Sequence, residues 1–487
     1  MGVETPVTNQ PATELHFLDA TTALRLFRAR ELSPVELMSA VINRVKQAEP
    51  AVNACSEQLF DQAMKQAQIA EARYASDEVV PPLLGIPLAA KDRHSIRGHA
   101  YSNGLLAHRD RIAESDHPML ERARAAGAIV HIRTTTPELC CATITHSGLW
   151  GTTRNPWDLR YSPGGSSGGS AAALAAGFTP LATASDMAGS TRLPAAYTGT
   201  VGFKPPYGRI PGPTPLSADH YRSDGPMART VADAALLATT VAGIHRHDHM
   251  SSADPVPVCE PAADVDLSRS RIALCIRLGD YPVAADVEKN TRGIADLLRD
   301  AGAVVDEIEL PWTAVRIREI LFTHFGHVTH DPMLAETLGD SDLAAYTRKF
   351  MTDAFAARAR NSFSDGLAAE SAIQRELIDA MTGYDALICP TSAVPALRAG
   401  DDYLDGIDVE GRRLPHYFDA QMAAPFNIAN RCPVLAVPSG FADCGLPTGI
   451  QVVAHPYDDP TAFRIGAAIE QLRPWNIHRP RLASDPA

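Results

Sequence analysis

The segment Pro163-Gly164-Gly165-Ser166-Ser167-Gly168-Gly169-Ser170, followed at once by Ala171-Ala172-Ala173-Leu174-Ala175-Ala176, is unlike the rest of the chain. Glycines and serines at this density cannot build a core. The alanines behind them suit a helix packed closely on its neighbours. A Gly-rich loop that opens a helix lets backbone N–H groups meet a negative charge, or lets a loop pack tightly beneath a reactive site. Three other readings compete. A phosphate loop needs G-x-x-x-x-G-K-[ST], and no lysine follows. A flexible Gly/Ser linker leaves the alanine helix unexplained. The run also fits G-x-S-x-G centred on Ser167, but that elbow should follow a buried strand, and Arg160-Tyr161-Ser162-Pro163 is a poor one.

Downstream lies Ser185-Asp186-Met187-Ala188-Gly189-Ser190-Thr191-Arg192-Leu193-Pro194. Small residues end a strand and then offer a serine. Successive N–H groups around a tight turn make an anion-binding concavity, which is what a tetrahedral oxyanion requires. Asp186 and Arg192 flank the turn and are expected to brace it. An ordinary turn with a salt bridge would use the same residues. Upstream lies Gly85-Ile86-Pro87-Leu88-Ala89-Ala90-Lys91-Asp92. A lysine at the end of a buried strand is desolvated, which lowers its pKa and supplies a neutral amine as base. The ordinary alternative is a surface lysine capping a strand.

Around these segments, strands and helices alternate. Ser33-Pro34-Val35-Glu36 is a capping box with proline at the first helical position. Strands are expected near 84–90, 128–132, 180–183, 271–276, 303–308, 386–389, 434–437 and 449–453. Helices are expected near 59–75, 119–126, 171–176, 229–241, 286–300, 344–381 and 460–472. Residues 1–12 are polar and expected to fray. Such alternation predicts an α/β layer fold with a largely buried sheet. No long linker is evident, so one domain is expected over 1–487. It would have an N-terminal helical layer (1–80), a core (81–240), a mostly helical peripheral layer (245–380) and C-terminal strands with a closing helix (381–487).

The 487 residues are 45% hydrophobic and 21% charged, which excludes global disorder. A net charge of -13 argues against a nucleic-acid or anionic-membrane binder. The N-terminus has neither a basic start nor an apolar run, and the most apolar stretch is too short to span a bilayer. The eight cysteines form no CxxC pair and read as reduced thiols. A cytoplasmic enzyme is expected.

Taken together, GIPLAAKD (85–92), TRNPWD (153–158), SPGGSSGGSAAALAAG (162–177), SDMAGSTRLPAA (185–196) and TVGFKPPYGRIP (200–211) resemble the amidase signature family. SDGPMARTVADAALL (223–237), YDALICPTSAVP (384–395) and GLPTGIQVVAHPYDD (445–459) extend the likeness. The resemblance implies a central twisted mixed β-sheet flanked by helices and a Ser–cis-Ser–Lys triad. It assigns the nucleophile to Ser190, the bridging serine with a cis peptide bond to Ser166, and the base to Lys91. It draws the oxyanion hole from the N–H groups of Met187, Ala188, Gly189 and Ser190. Ser167, Asp186 and Arg192 support the site. No metal or other cofactor is required. The implied partner is a small, uncharged acyl or aryl amide, or a carbamate as in urethanes, rather than nucleic acid or membrane, and the protein would be a monomer or homodimer.

Three departures stand out. Ala188 replaces a more usual glycine, Thr135 stands where asparagine is frequent, and Asn430-Arg431-Cys432-Pro433 replaces a glycine-rich step; the last two are expected to reshape the pocket. Cys141 is a candidate pocket wall, with core packing an equal alternative. His245, His247 and His249 alternate in a polar loop and are expected to be fortuitous rather than metal ligands. A second functional reading is the glutaminase-type subunit of a tRNA-dependent amidotransferase. That relative would carry a Ser/Asn-rich stretch where Ile210-Pro211-Gly212-Pro213-Thr214-Pro215 stands. A third is a catalytically dead binding protein, which the presence of all three triad residues opposes.

Overall fold

The computed structural model describes residues 14–76, 78–253, 266–328 and 343–482. Eleven strands form one sheet: β1 (Cys55–Gln58), β2 (Pro87–Lys91), β3 (Ile129–Thr134), β4 (Leu181–Asp186), β5 (Val201–Lys204), β6 (Ser223–Ala228), β7 (Arg271–Leu274), β8 (Val304–Glu307), β9 (Ala386–Pro390), β10 (Val434–Phe441) and β11 (Pro447–Ala454). Their order is β1-β3-β2-β4-β6-β5-β10-β11-β9-β7-β8. The trio β3-β2-β4 is parallel, β4 through β11 to β9 is antiparallel, and β9-β7-β8 is again parallel. The mixed sheet expected of the fold is therefore present.

Strands β2, β3, β4, β9 and β11 are buried along their whole length. This is the pattern of a sheet covered on both faces. On one side the helix Pro34–Val52 buries Leu37, Val41, Ile42 and Val45 along one stripe. Its N-terminus carries the complete Ser33/Glu36 capping box. The helix Gly168–Ala175 is buried on every side. Only small side chains permit that, because it packs against β4, β2 and the helix Arg192–Thr198 at close range.

Residues 245–380 include two strands and several helices. They contribute β7 and β8 to one end of the sheet, while helices Ala314–Val328, Ala345–Arg360 and Phe363–Ala380 pack on one another. The expected fraying of residues 1–12 lies outside the described residues. No helix among those described is long and apolar enough to cross a membrane, and the seven described cysteines are unpaired.

Candidate active site

Lys91 ends β2 and Asp186 ends β4. The two strands are parallel neighbours, so both carboxyl ends open on the same edge of the sheet. That edge is where α/β sheets hold ligands.

Lys91 is fully buried. Its Nζ lies 2.8 Å from Ser166 Oγ, 2.8 Å from Ser167 Oγ and 3.0 Å from Ser185 Oγ. No carboxylate pairs with it among the described residues. Burial pulls its pKa down to about 8, with Arg93 adding to the effect and the Cys140 thiol and Asp186 opposing it. A neutral amine has two N–H donors and one lone pair. Ser167 Oγ is 3.4 Å from the Ser185 carbonyl, to which it donates, so it accepts from Lys91. With a second N–H directed at Ser185, the lone pair is left for the Ser166 proton.

Below this cluster the Lys91 N–H donates to Thr183 Oγ1 (3.1 Å), which lies 2.7 Å from His94 Nδ1. His94 Nε2 faces Asp224 Oδ1 at 3.1 Å. If that nitrogen carries the proton, Thr183 donates to Nδ1 and the chain of bonds closes.

The peptide bond Gly165–Ser166 is cis. The Ser166 carbonyl accepts from Thr136 Oγ1 at 3.0 Å. At Gly165 a Cβ would collide with the Ile144 carbonyl oxygen and lie 2.6 Å from that of Ala142. Only glycine lets this loop approach so closely.

The turn after β4 is held from inside. Asp186 accepts from the N–H groups of Gly189 (2.6 Å) and Thr191 (3.2 Å). It is clamped by two Arg192 bonds of 2.9 Å each. Burial would raise its pKa, but Arg192, the Gly189 N–H and Asn427 outweigh that and hold it at about 2. Arg192 also donates to the Ala423 carbonyl, Gln451 Oε1 and Asn427 Oδ1 at 2.6–2.7 Å. Removing it takes the donor from Gln451 Oε1 and Asn427 Oδ1 and leaves the buried Asp186 carboxylate without its cation. Arg192→Met is expected to destabilise the fold by about 3–5 kcal/mol, read as a lowered urea midpoint.

This clamp changes the expected donor set. The Gly189 N–H is spent on Asp186, so of the four anticipated oxyanion donors only Met187, Ala188 and Ser190 have N–H groups with no acceptor among the described residues. Gly189 itself has φ +108°, and a Cβ there would collide with Gln421 Nε2. Ser190 is half-buried. Its carbonyl accepts from the Ser167 N–H at 3.1 Å, while its hydroxyl bonds to no described residue. The structure thus joins Lys91 directly to Ser166 and Ser167. It ties Ser190 to the same loop through main chain.

The two adjacent cysteines point in different directions. Leu139 and Cys140 both have left-handed φ (+53° and +57°), which sends the adjacent side chains apart. Cys141 Sγ turns inward to the Glu138 carbonyl (3.2 Å) and Thr347. Cys140 bonds Thr136 Oγ1 at 3.0 Å beside the Lys91 cluster. Burial would raise its pKa, but Lys91 and Arg93 outweigh it and hold the thiol below its ordinary value. Cys141 packs within a buried hydrophobic cluster, while Cys140 lies beside Lys91.

Thr135 bonds Thr153 Oγ1 (2.7 Å) and Asn430 bonds the His220 carbonyl (2.8 Å). Both are buried and hydrogen-bonded. His245 faces Glu121 at 3.3 Å. Among the described residues, the His/Asp sets close enough to share an ion are instead His94–His117–Asp224 and Asp219–His220–His324. In the first, the Arg222 guanidinium already contacts Asp224. Ser185, Asn427, Gln421, Gln451, Arg93 and Cys140 are site neighbours that motif reading missed. Only Ser185 had a signal, since it shares a strand face with Thr183.

The Amidase family model matches residues 36–463. The chain belongs to the amidase signature family. This amidase is 31% identical to a glutamyl-tRNA(Gln) amidotransferase subunit from Symbiobacterium thermophilum, over 96% of this chain and 99% of the other. The corresponding protein from Roseiflexus sp. is 32% identical over the same shares. Among solved structures, a bacterial aryl acylamidase superposes with TM-score 0.87 at 26% identity, covering 95% of the amidase and 97% of that chain. A 6-aminohexanoate cyclic dimer hydrolase superposes with TM-score 0.81 at 26% identity, covering 96% and 99%. The amidase is thus an enzyme of a family that acts on carbon–nitrogen bonds.

Proposed function

We propose that the amidase hydrolyses acyl and aryl amides, and carbamates of urethane type, through an acyl-enzyme on Ser190. The observation that carries this reading is the buried Lys91 amine, its charge disfavoured, held 2.8 Å from Ser166. Serine is a weak nucleophile and needs such a base. Neutral Lys91 takes the Ser166 proton as Ser166 takes that of Ser190. Ser190 Oγ attacks the carbonyl, and the oxyanion is received by the N–H groups of Met187, Ala188 and Ser190. Protonated Lys91 returns its proton through Ser166 to the leaving nitrogen, and the C–N bond breaks. Water then attacks the ester by the same relay, releasing acid and restoring Ser190. The sequence of steps calls for no metal or other cofactor. A soluble cytoplasmic monomer or homodimer with small-molecule substrates fits this chemistry.

The test is a panel of anilides, aliphatic amides, carbamates and esters ranked by kcat/KM, with phenylmethylsulfonyl fluoride labelling mapped by mass spectrometry. Label is expected on Ser190, and EDTA is expected to leave turnover intact. Label elsewhere sinks the assignment.

The likeness to the amidotransferase proteins favours a second reading, glutamine hydrolysis within a complex. Against it, Ile210–Pro215 lacks the Ser/Asn-rich stretch expected there. Glutamine as the one good substrate, together with co-purification of a partner protein, would establish it.

A further inference from the structure

Three buried arginines around the site have acidic partners, unlike the buried Lys91. Arg133 lies 3.4 Å from Asp92, Arg192 2.9 Å from Asp186, and Arg222 contacts Asp224. Arg93 breaks the pattern. It follows Lys91 by two residues, is half-buried, and has no carboxylate within ion-pair distance among the described residues. The neighbouring acid cannot serve it, since Asp92 is occupied by Arg133, the Ser102 hydroxyl (2.7 Å) and the Gly104 N–H (3.2 Å). The contact recorded for the Arg93 guanidinium is the Met187 thioether at 3.8 Å, a weak acceptor. Met187 is also half-buried and belongs to the oxyanion turn. A guanidinium placed beside the reacting carbonyl's berth, with its donor fork unfilled, is matched by a planar carboxylate.

We infer that Arg93 is a specificity-determining residue that receives a carboxylate carried by the substrate, so that the preferred amides are acidic ones. This rests on the Ser190 acyl-enzyme reading and narrows its substrate class, replacing the uncharged substrates expected from sequence. Arg93 also bears on Lys91 and Cys140, lowering the pKa of both, so its charge lies close to the reacting groups. A carboxylate bound there would offset its charge.

The test compares isosteric pairs with the charge on either side of the scissile bond. These are 4-acetamidobenzoate against 4-acetamidobenzamide, and succinanilate against its primary amide. For at least one pair, wild type is expected to favour the acid in kcat/KM by about tenfold or more. Arg93→Gln is expected to collapse that ratio toward one, and Arg93→Lys to restore part of it. Because the readout is a ratio within each protein, a general loss of activity cancels. Calorimetry with the Ser190→Ala protein provides a measurement independent of turnover. It should bind the favoured acid more tightly than its amide, and the added Arg93→Gln change should erase the difference. No acid preference in wild type, or a preference that survives Arg93→Gln, overturns the inference. If amides are hydrolysed with Ser190 labelled but without acid preference, only the Arg93 inference falls. If Ser190→Ala retains turnover, the acyl-enzyme reading falls first.

Discussion

Ser190→Ala is expected to cut amide hydrolysis by about 10⁴-fold or more while leaving the far-UV circular dichroism and thermal midpoint of the wild type. The chemical part follows from the proposed relay. Without the hydroxyl there is no atom to form the acyl bond, and Lys91 and Ser166 have only water to activate. The structural part follows from what Ser190 touches. It is half-buried, and its hydroxyl bonds to no described residue, so the change leaves no buried donor or acceptor stranded. What Ser190 gives the fold is its carbonyl, which accepts from the Ser167 N–H, and alanine keeps that. Turnover of a p-nitroanilide and denaturation of the same preparation test both halves. A folded variant that turns over normally removes Ser190 as nucleophile. A variant that unfolds shows instead that the turn depends on this side chain.

What could be read in the chain, and what could not, divides by the range of the interactions. The Gly/Ser loop, the strand leading to Lys91 and the turn at 185–194 are local signals. Tight packing demands glycine and alanine at fixed places, and a lysine after five mostly apolar residues stands out by itself. The strand Pro87–Lys91 does end at the lysine, although it starts three residues later than its apolar run suggests, because 81–85 turn to reach the helix Pro34–Val52. β5 and β6 escaped a reading by strand propensity. Ser223-Asp224-Gly225-Pro226-Met227-Ala228 contains three residues that disfavour strands, and it is extended because β4 and β5 supply ladders on both sides.

The braces of the oxyanion turn were beyond reach for a related reason. Arg192 meets Asn427 and Gln451 at separations of 235 and 259 residues, and no local pattern announces such pairs. The same remoteness hid the fate of the Gly189 N–H. A motif locates the turn, but only the placed Asp186 carboxylate shows which of its donors is already engaged.

The pH dependence should report on Lys91. For an uncharged amide, kcat/KM is expected to rise about tenfold per pH unit on the acid side and to level above about 8, where the buried amine is free of its proton. At pH 7 roughly a tenth of the molecules would carry the free base. Lys91→Ala is expected to lower kcat/KM by at least about 10³-fold, no less than Ser166→Ala, and to abolish the inflection near 8. An unchanged inflection in the variant assigns it to another group, and near-wild-type activity at pH 7 means that another base operates. Stability gives an independent reading with a definite sign. The folded pKa of Lys91 lies below the value of about 10.5 for an exposed lysine. Below pH 8 both states are protonated, and the fold carries the full penalty of a buried charge. Between about 8 and 10.5 the unfolded chain holds the extra proton, so stability rises with pH. Above that window both states are neutral and the penalty is gone. Lys91→Met removes the titrating group. The difference in unfolding free energy between wild type and Lys91→Met should therefore move in favour of wild type as pH is raised from 8 to 10.5, by roughly 3 kcal/mol. A difference that stays flat across that range would mean that the Lys91 ammonium is solvated in the folded protein, and the base in the proposed relay would have to be sought elsewhere.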